Sequence, residues 1–444
     1  MHFVEKLGHS KKKNSMGILS SLTREQKEAV GLLQIGTFLE YFDLMLYVHM
    51  AVLLNELFFP KTDPQTAALL SAFAFCSTYV LRPFGALFFG WLGDNIGRKS
   101  TVIITTMMMS ISCIVIASLP TYAQIGVSAA WIITICRVLQ GLSSMGEIIG
   151  AEIYLTEITK PPTRYPVVSL VAFASALGTT VALLIASLFT SFEFNWRIAF
   201  WIGAAIAVVG SIARTRLRET SDFLDIKNGT KGSQKKFINL KKQSISYFLM
   251  GCSWPACFYF SYIHCGLILK NQFSYTAEQV IYQNFLVSIV GIISCFLVSL
   301  LSYKIHPLKI TRIRFFLFFP FILFYPFILK AYPYSSTIFF IQIFSIGAAL
   351  SVIPAASVII MYFPAFRRFT YTSYIYALSR ASVYILTSFG FVYLTNNFGE
   401  IGILFIMIPI SISILWGVNH FIKLEKASGN FPSSKKTDGL IIKC

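Results

Sequence analysis

Residues 93–99 read Gly93-Asp94-Asn95-Ile96-Gly97-Arg98-Lys99, three charges and two glycines set between two long apolar runs. Glycine permits a tight turn, and Asp94 can face a helix N-terminus, where the dipole favours an anion. The flanking runs, 66–92 and 100–119, are each long enough to cross a hydrocarbon core. Ten more runs of that kind lie at 29–56, 126–158, 166–190, 197–213, 245–269, 279–302, 313–331, 335–362, 370–395 and 400–421. The long polar interruption, 214–244, is rich in Lys, Gly, Ser and Asn and divides the chain into six-span halves, 29–213 and 245–421. A polar segment, 1–28, precedes them and a basic tail, 422–444, follows. No small-residue cleavage pattern follows the first run, so it is expected to stay as a span. Thr23-Arg24-Glu25-Gln26 has capping-box spacing and is expected to start that helix before the lipid.

Composition points the same way. Of 444 residues, 55% are hydrophobic and 13% charged, against about 25% charged in an ordinary soluble domain. A soluble fold would have to expose the excess. A soluble enzyme, a disordered chain and a nucleic-acid-binding domain are thereby excluded. The net charge of +18 has another source. With a cytoplasmic N-terminus, 30 of the 37 basic residues fall in inside segments, among them Arg214 in the central loop and Arg314, Arg367 and Arg368 in later loops. Four (Lys61, Arg197, Lys270 and Lys330) fall outside. This puts both termini in the cytoplasm, makes the central loop a solvated one, and leaves its Asn228-Gly229-Thr230 sequon unglycosylated. The partners implied are the lipid bilayer and no nucleic acid. The eight cysteines include no CxxC pair and read as free, mostly buried thiols.

Glu40, Asp43, Arg82, Arg137, Glu147, Glu152 and Arg380 are charged residues that fall inside apolar runs. Each costs about 2.5–3.5 kcal/mol at the bilayer centre, so each is expected to face the bundle interior with a partner. Glu40 and Asp43 share one helix face. Arg137, Gln140, Ser144 and Glu147 step by three and four and form one polar stripe, as on a helix that lines a cavity. His49 and His264 lie in spans, where helix packing is the expected role and proton relay the alternative. Trp254, Tyr259 and Tyr262 offer an aromatic cage for a quaternary ammonium, or packing. Gly146 and Gly150 form a GxxxG suited to close helix contact. No Walker A loop, GxGxxG, HExxH or Ser/His/Asp set is present, so neither an ATP-driven pump nor an enzyme is indicated.

The spacing Gly90-x-x-x-Asp94-x-x-Gly97-Arg98-Lys99 resembles the signature of the major facilitator superfamily. Gly36–Asp43, Leu81–Gly90, Arg137–Glu147, Asn195–Ile198 and Phe363–Arg368 narrow the resemblance to its metabolite:proton symporter branch, which contains proline/betaine transporters. The likeness is close over 30–220, fades through 245–360 and returns near 363–372. It implies an all-α membrane protein with twelve transmembrane helices in two pseudo-symmetric six-helix halves. It also implies that Gly93, Asp94, Gly97, Arg98 and Lys99 form a gate, with Asp94 and Arg98 making cross-half contacts that hold the cytoplasmic side shut. In the second half the matching loop reads Leu301-Ser302-Tyr303-Lys304-Ile305-His306-Pro307, with Tyr303 and His306 where the family has Asp and Gly.

The expected function is proton-coupled uptake of a small zwitterion or carboxylate, such as proline, betaine or an oxo-acid, by a monomer that needs no cofactor beyond the proton gradient. Arg82 or Arg137, with Gln140 beside it, would meet the substrate carboxylate. Glu40 or Asp43 would carry the proton, because two carboxylates that close cannot both ionise cheaply in low dielectric. Glu147 is the next candidate. A dicarboxylate transporter and a non-transporting membrane sensor on the same fold are the rivals.

Overall fold

The computed structural model describes residues 21–60, 79–191, 195–228 and 240–432. Most of the polar N-terminal segment, the start of the second span, Gly229-Thr230 of the sequon, most of the basic tail and the His49 side chain lie outside the described residues.

The described chain is helical throughout. In the first half the helices are α1 (Arg24–Phe58), α2 (Arg82–Asn95), α3 (Arg98–Ser118), α4 (Val127–Ile158), α5 (Arg164–Ser191) and α6 (Arg197–Arg214). In the second half α7 is assembled from Leu240–Gly251, Ser253–Phe258, a π-helical turn Tyr259–His264 and Cys265–Phe273. Then come α8 (Ala277–Lys304), α9 (Pro307–Ala331), α10 (Ser335–Gly347 with Ala356–Ile360), α11 (Arg368–Phe398) and α12 (Leu404–Ala427). Eight described stretches are long and apolar enough to cross a bilayer, the last of them, Ala365–Ala427, holding both α11 and α12. Length alone passes over α2, whose start is not described, and the interrupted α7 and α10.

Local chemistry sets these boundaries. The Thr23 hydroxyl accepts from the Gln26 N–H (3.2 Å) and the Gln26 amide accepts from the Thr23 N–H (3.0 Å), closing the expected capping box at α1. His306 caps α9 and Pro307 opens it, so that helix starts earlier than its apolar run does. The expected continuous span 335–362 is corrected: the chain is non-helical around 348–355, where Pro354 lacks an N–H and disfavours helix in the residue before it. α12 runs on into the sequence assigned to the tail. The central loop holds a short helix, Ser221–Lys227.

α1 packs on α5 and α6, and α3 on α4 and α6. Gly146 and Gly150 lie against Thr105 and Val102 of α3, the close contact expected of them. The halves are joined chiefly by α5 with α8 and α2 with α11, with α4 also meeting α10 and α11. Phe316, Phe324, Phe327, Phe340 and Phe389 point outward and are exposed. In water they would form an adhesive surface, and in a bilayer they face hydrocarbon.

Candidate functional site

At one end of the bundle, α2 stops at Asn95 and α3 restarts at Arg98. The turn between them requires Gly97, whose φ of +136° is open to glycine. The turn delivers Asp94 to the N-terminus of α11 in the other half. One carboxylate oxygen accepts the Phe369 N–H (3.1 Å) and the other accepts the Thr370 N–H (2.9 Å) and hydroxyl (2.7 Å). Orphan N–H groups at a helix start are satisfied there by an anion, each charge-assisted bond contributing on the order of 1.5–3 kcal/mol. Arg98 is fully buried beneath this cap. It pairs with Asp94 (3.3 Å) and Glu157 (3.5 Å), and donates to the carbonyls of Gly93 (2.6 Å) and, across the halves, Ala365 (2.8 Å). Lys99 contributes its backbone N–H, which donates to Glu219 (3.2 Å).

Sequence reasoning missed the rest of this cluster. Glu157, at the end of α4, also holds Arg368 (2.7 Å) and accepts from the Thr220 hydroxyl (2.6 Å); Arg368 reaches Asp222 (3.2 Å). Arg368 was assigned to a later cytoplasmic loop, and it is buried there. The second-half loop is built differently. His306 lies 3.4 Å from Glu425, which accepts from the Tyr362 hydroxyl (2.6 Å), and the His306 ring meets Tyr165 of the first half at 5.8 Å.

Deeper in the first half, the two carboxylates of α1 each have their own arginine. Asp43 pairs with Arg137 (3.3 Å) and accepts from the Cys113 thiol (3.4 Å). Arg137 also donates to Gln140 (2.8 Å) and lies over the Tyr47 ring at 3.8 Å. Glu40 stands 3.8 Å from Arg82, and neither of its oxygens takes a hydrogen bond among the described residues. Glu40, Asp43, Arg82, Arg137, Gln140 and Ser144 line one small cavity. Glu147, the last residue of the expected stripe, is instead clasped by Arg214 and by the hydroxyls of Thr105 (3.0 Å) and Thr106 (2.5 Å). Arg214, assigned to the solvated central loop, is fully buried at the end of α6. It fits because Gly36 has no side chain: a Cβ there would lie 1.6 Å from the guanidinium.

A larger cavity lies between the halves. Its walls come from α1, α2, α4 and α5 on one side and α7 to α11 on the other. Arg82 reaches it, whereas Arg137 and Gln140 do not line it. Pro83, at the start of α2, breaks the helix at Leu81 and sets Arg82 on this wall. The other charged residues lining it are Glu152, Arg314 and Arg380. Arg380 lies over the Tyr376 ring at 3.5 Å. Arg314, assigned to a loop, donates to Ser294 (3.5 Å) and the Gly347 carbonyl (3.4 Å). Of the expected aromatic cage, Trp254 and Tyr262 line the cavity, while Tyr259 packs on Phe391. His264 lies beyond the cage, bonded to Glu400 (3.0 Å) and Tyr325 (3.3 Å).

Two helical halves around a charged internal cavity, with a tight turn of one half capping a helix of the other, define a membrane transporter scaffold. The chain belongs to the Major Facilitator Superfamily, whose family model matches residues 33–388. It is 34% identical over 204 residues to the proline/betaine transporter of Salmonella typhimurium, a match covering 44% of this chain and 41% of that one. It is 36% identical over 197 residues to the inner membrane metabolite transport protein YhjE of Escherichia coli, covering 43% and 45%. The matched region thus spans less than half the length of either relative. Among solved structures, the proton:xylose symporter XylE superimposes with a TM-score of 0.74 at 13% identity, over 90% of this chain and 95% of that one, a likeness of fold.

Proposed function

We propose that the protein is a proton-coupled uptake transporter for a small zwitterion or carboxylate, working by alternating access in a bacterial inner membrane as a monomer with both termini cytoplasmic. The observation that carries this reading is Arg82, which stands on the wall of the inter-half cavity with Glu40 behind it at 3.8 Å. A carboxylate arriving in the cavity competes with Glu40 for that guanidinium. Glu40, without a hydrogen-bond donor among the described residues, then takes a proton as its counter-charge. Substrate and proton thereby occupy the protein together. Asp43 and Gln140 both bind Arg137 and hold α1 against α4, a supporting role. The Asp94 cap on α11 is the gate that keeps the cytoplasmic end shut.

Similarity to proline/betaine transporters favours zwitterions as cargo. A second reading, a dicarboxylate, is favoured by Arg314, a second cavity cation with no acid within 4 Å among the described residues. Uptake of radiolabelled proline, glycine betaine and succinate into proteoliposomes, with and without an imposed proton gradient, tests both. Gradient-stimulated accumulation of a zwitterion supports the first reading. Accumulation of succinate alone supports the second. No uptake of any of them contradicts the transporter reading in favour of a sensor.

A further inference from the structure

Four charged side chains line the cavity between the halves, and one of them is an acid. Glu152, on α4, is 3% exposed and forms no ion pair or hydrogen bond among the described residues. Arg380, on α11 of the other half, is 8% exposed and likewise has no acid within 4 Å; the face of Tyr376 is its contact. These two differ from every other buried charge around them. Asp43, Glu147 and Glu157 are each held by an arginine, Arg82 has Glu40, and Arg314 is tied to Ser294 and the Gly347 carbonyl. A buried charge without a partner is costly and is retained where something else supplies the partner. Here the two carry opposite signs and stand on opposite halves, each in the other's field across the cavity but without a contact between them.

We propose that Glu152 and Arg380 are a zwitterion clamp: Arg380 joins Arg82 on the carboxylate of a compact substrate and Glu152 takes its cationic nitrogen, so that the bound molecule bridges the two halves. The proposal rests on the transporter reading above and adds the residues that choose the cargo. Tyr41, Trp254 and Tyr376 contribute aromatic walls suited to an ammonium. A guanidinium recognises a carboxylate through two parallel donors. Glu152 makes the site discriminate, because a ligand with a carboxylate and no cation leaves it unpaired. The clamp also ties occupancy to movement, since Glu152 of the first half and Arg380 of the second hold the same molecule.

The test uses charge isosteres. Exchange of radiolabelled glycine betaine is measured in proteoliposomes without a gradient, with competition by unlabelled glycine betaine, by 3,3-dimethylbutanoate (carbon in place of the charged nitrogen), by choline and by succinate. The clamp requires wild type to prefer betaine over dimethylbutanoate by at least about tenfold, since that difference corresponds to one charge contact of about 1.4 kcal/mol. Glu152→Gln should bring the two within a few-fold of each other. Arg380→Gln should weaken both by a similar factor and improve choline relative to them. A merely structural Glu152 would weaken all ligands alike and leave the betaine-to-dimethylbutanoate ratio unchanged, which overturns the clamp. Should Glu152→Gln fail to fold, Glu152→Asp and Arg380→Lys keep the charges and shift the distances, and an unchanged ligand ratio in both overturns it equally. A wild type that exchanges succinate in preference to betaine overturns the clamp and leaves a transporter standing. A wild type that exchanges none of the probes overturns both.

Discussion

At the scale of single residues, an arginine's neighbours separate two jobs that its presence in an apolar run does not. Arg137 is held by Asp43, Gln140 and the Tyr47 ring, whereas Arg82 keeps a loose partner at 3.8 Å and reaches the central cavity. The two α1 carboxylates should therefore respond differently to neutral substitution. Glu40→Gln should abolish gradient-driven accumulation while counterflow exchange continues. Asp43→Asn leaves Arg137 short of a counter-charge in a buried site, a loss on the order of 3 kcal/mol, and should appear as a lower unfolding temperature in detergent. Equal melting temperatures with wild-type accumulation in both would remove Glu40 from coupling. Gly36→Ala is a second residue-scale test. Its Cβ would meet Arg214 at 1.6 Å and Glu147 at 2.4 Å, so it must part that buried pair, and destabilisation of about 3–5 kcal/mol is expected. A melting temperature within a degree of wild type would show that the pair yields without cost.

At the scale of elements, the contact that joins halves is a helix start met by a carboxylate. Asp94 satisfies two N–H groups and a hydroxyl at the start of α11, and Arg98 holds Asp94 in place from beneath. Asp94→Ala should cut uptake at least tenfold while insertion and the circular-dichroism spectrum stay unchanged, because the loss falls on one conformation rather than on the helices. Wild-type uptake in Asp94→Ala would remove it from gating. His306→Ala, at the corresponding loop of the second half, removes one ion-pair contact with Glu425 and a ring contact with Tyr165, and should cost less. What could be read in advance follows the same division. The helix order and the turn at 93–99 were legible, because hydropathy and glycine spacing are local properties. The break in α10 was marked by Pro354 and passed over because the apolar run continues through it. The burial of Arg98, Arg214 and Arg368, and Arg314's place on the cavity wall, could not be read, since a basic residue at a helix end looks the same whether it meets water or an acid from another helix. Glu152 and Arg380 were visible as intramembrane charges, but their common cavity exists only once α4 and α11 are brought together.

For the whole molecule, the two halves meet along α5 with α8 and α2 with α11, and the cavity lies on that seam. A rocking motion about the seam would expose the cavity to each side in turn. The orientation rests on the charge distribution, so single cysteines at Asn228 and Asn397 should label from the cytoplasmic and external faces respectively; labelling of both from the same face would break the twelve-span topology. Coupling is the central claim, and proton movement driven by substrate alone tests it most directly. Proteoliposomes carrying a lumenal pH dye and no imposed gradient would be given an inward gradient of glycine betaine or proline. The expected result is lumenal acidification that follows substrate entry and disappears in Glu40→Gln. Entry of labelled substrate with no change in lumenal pH would contradict it.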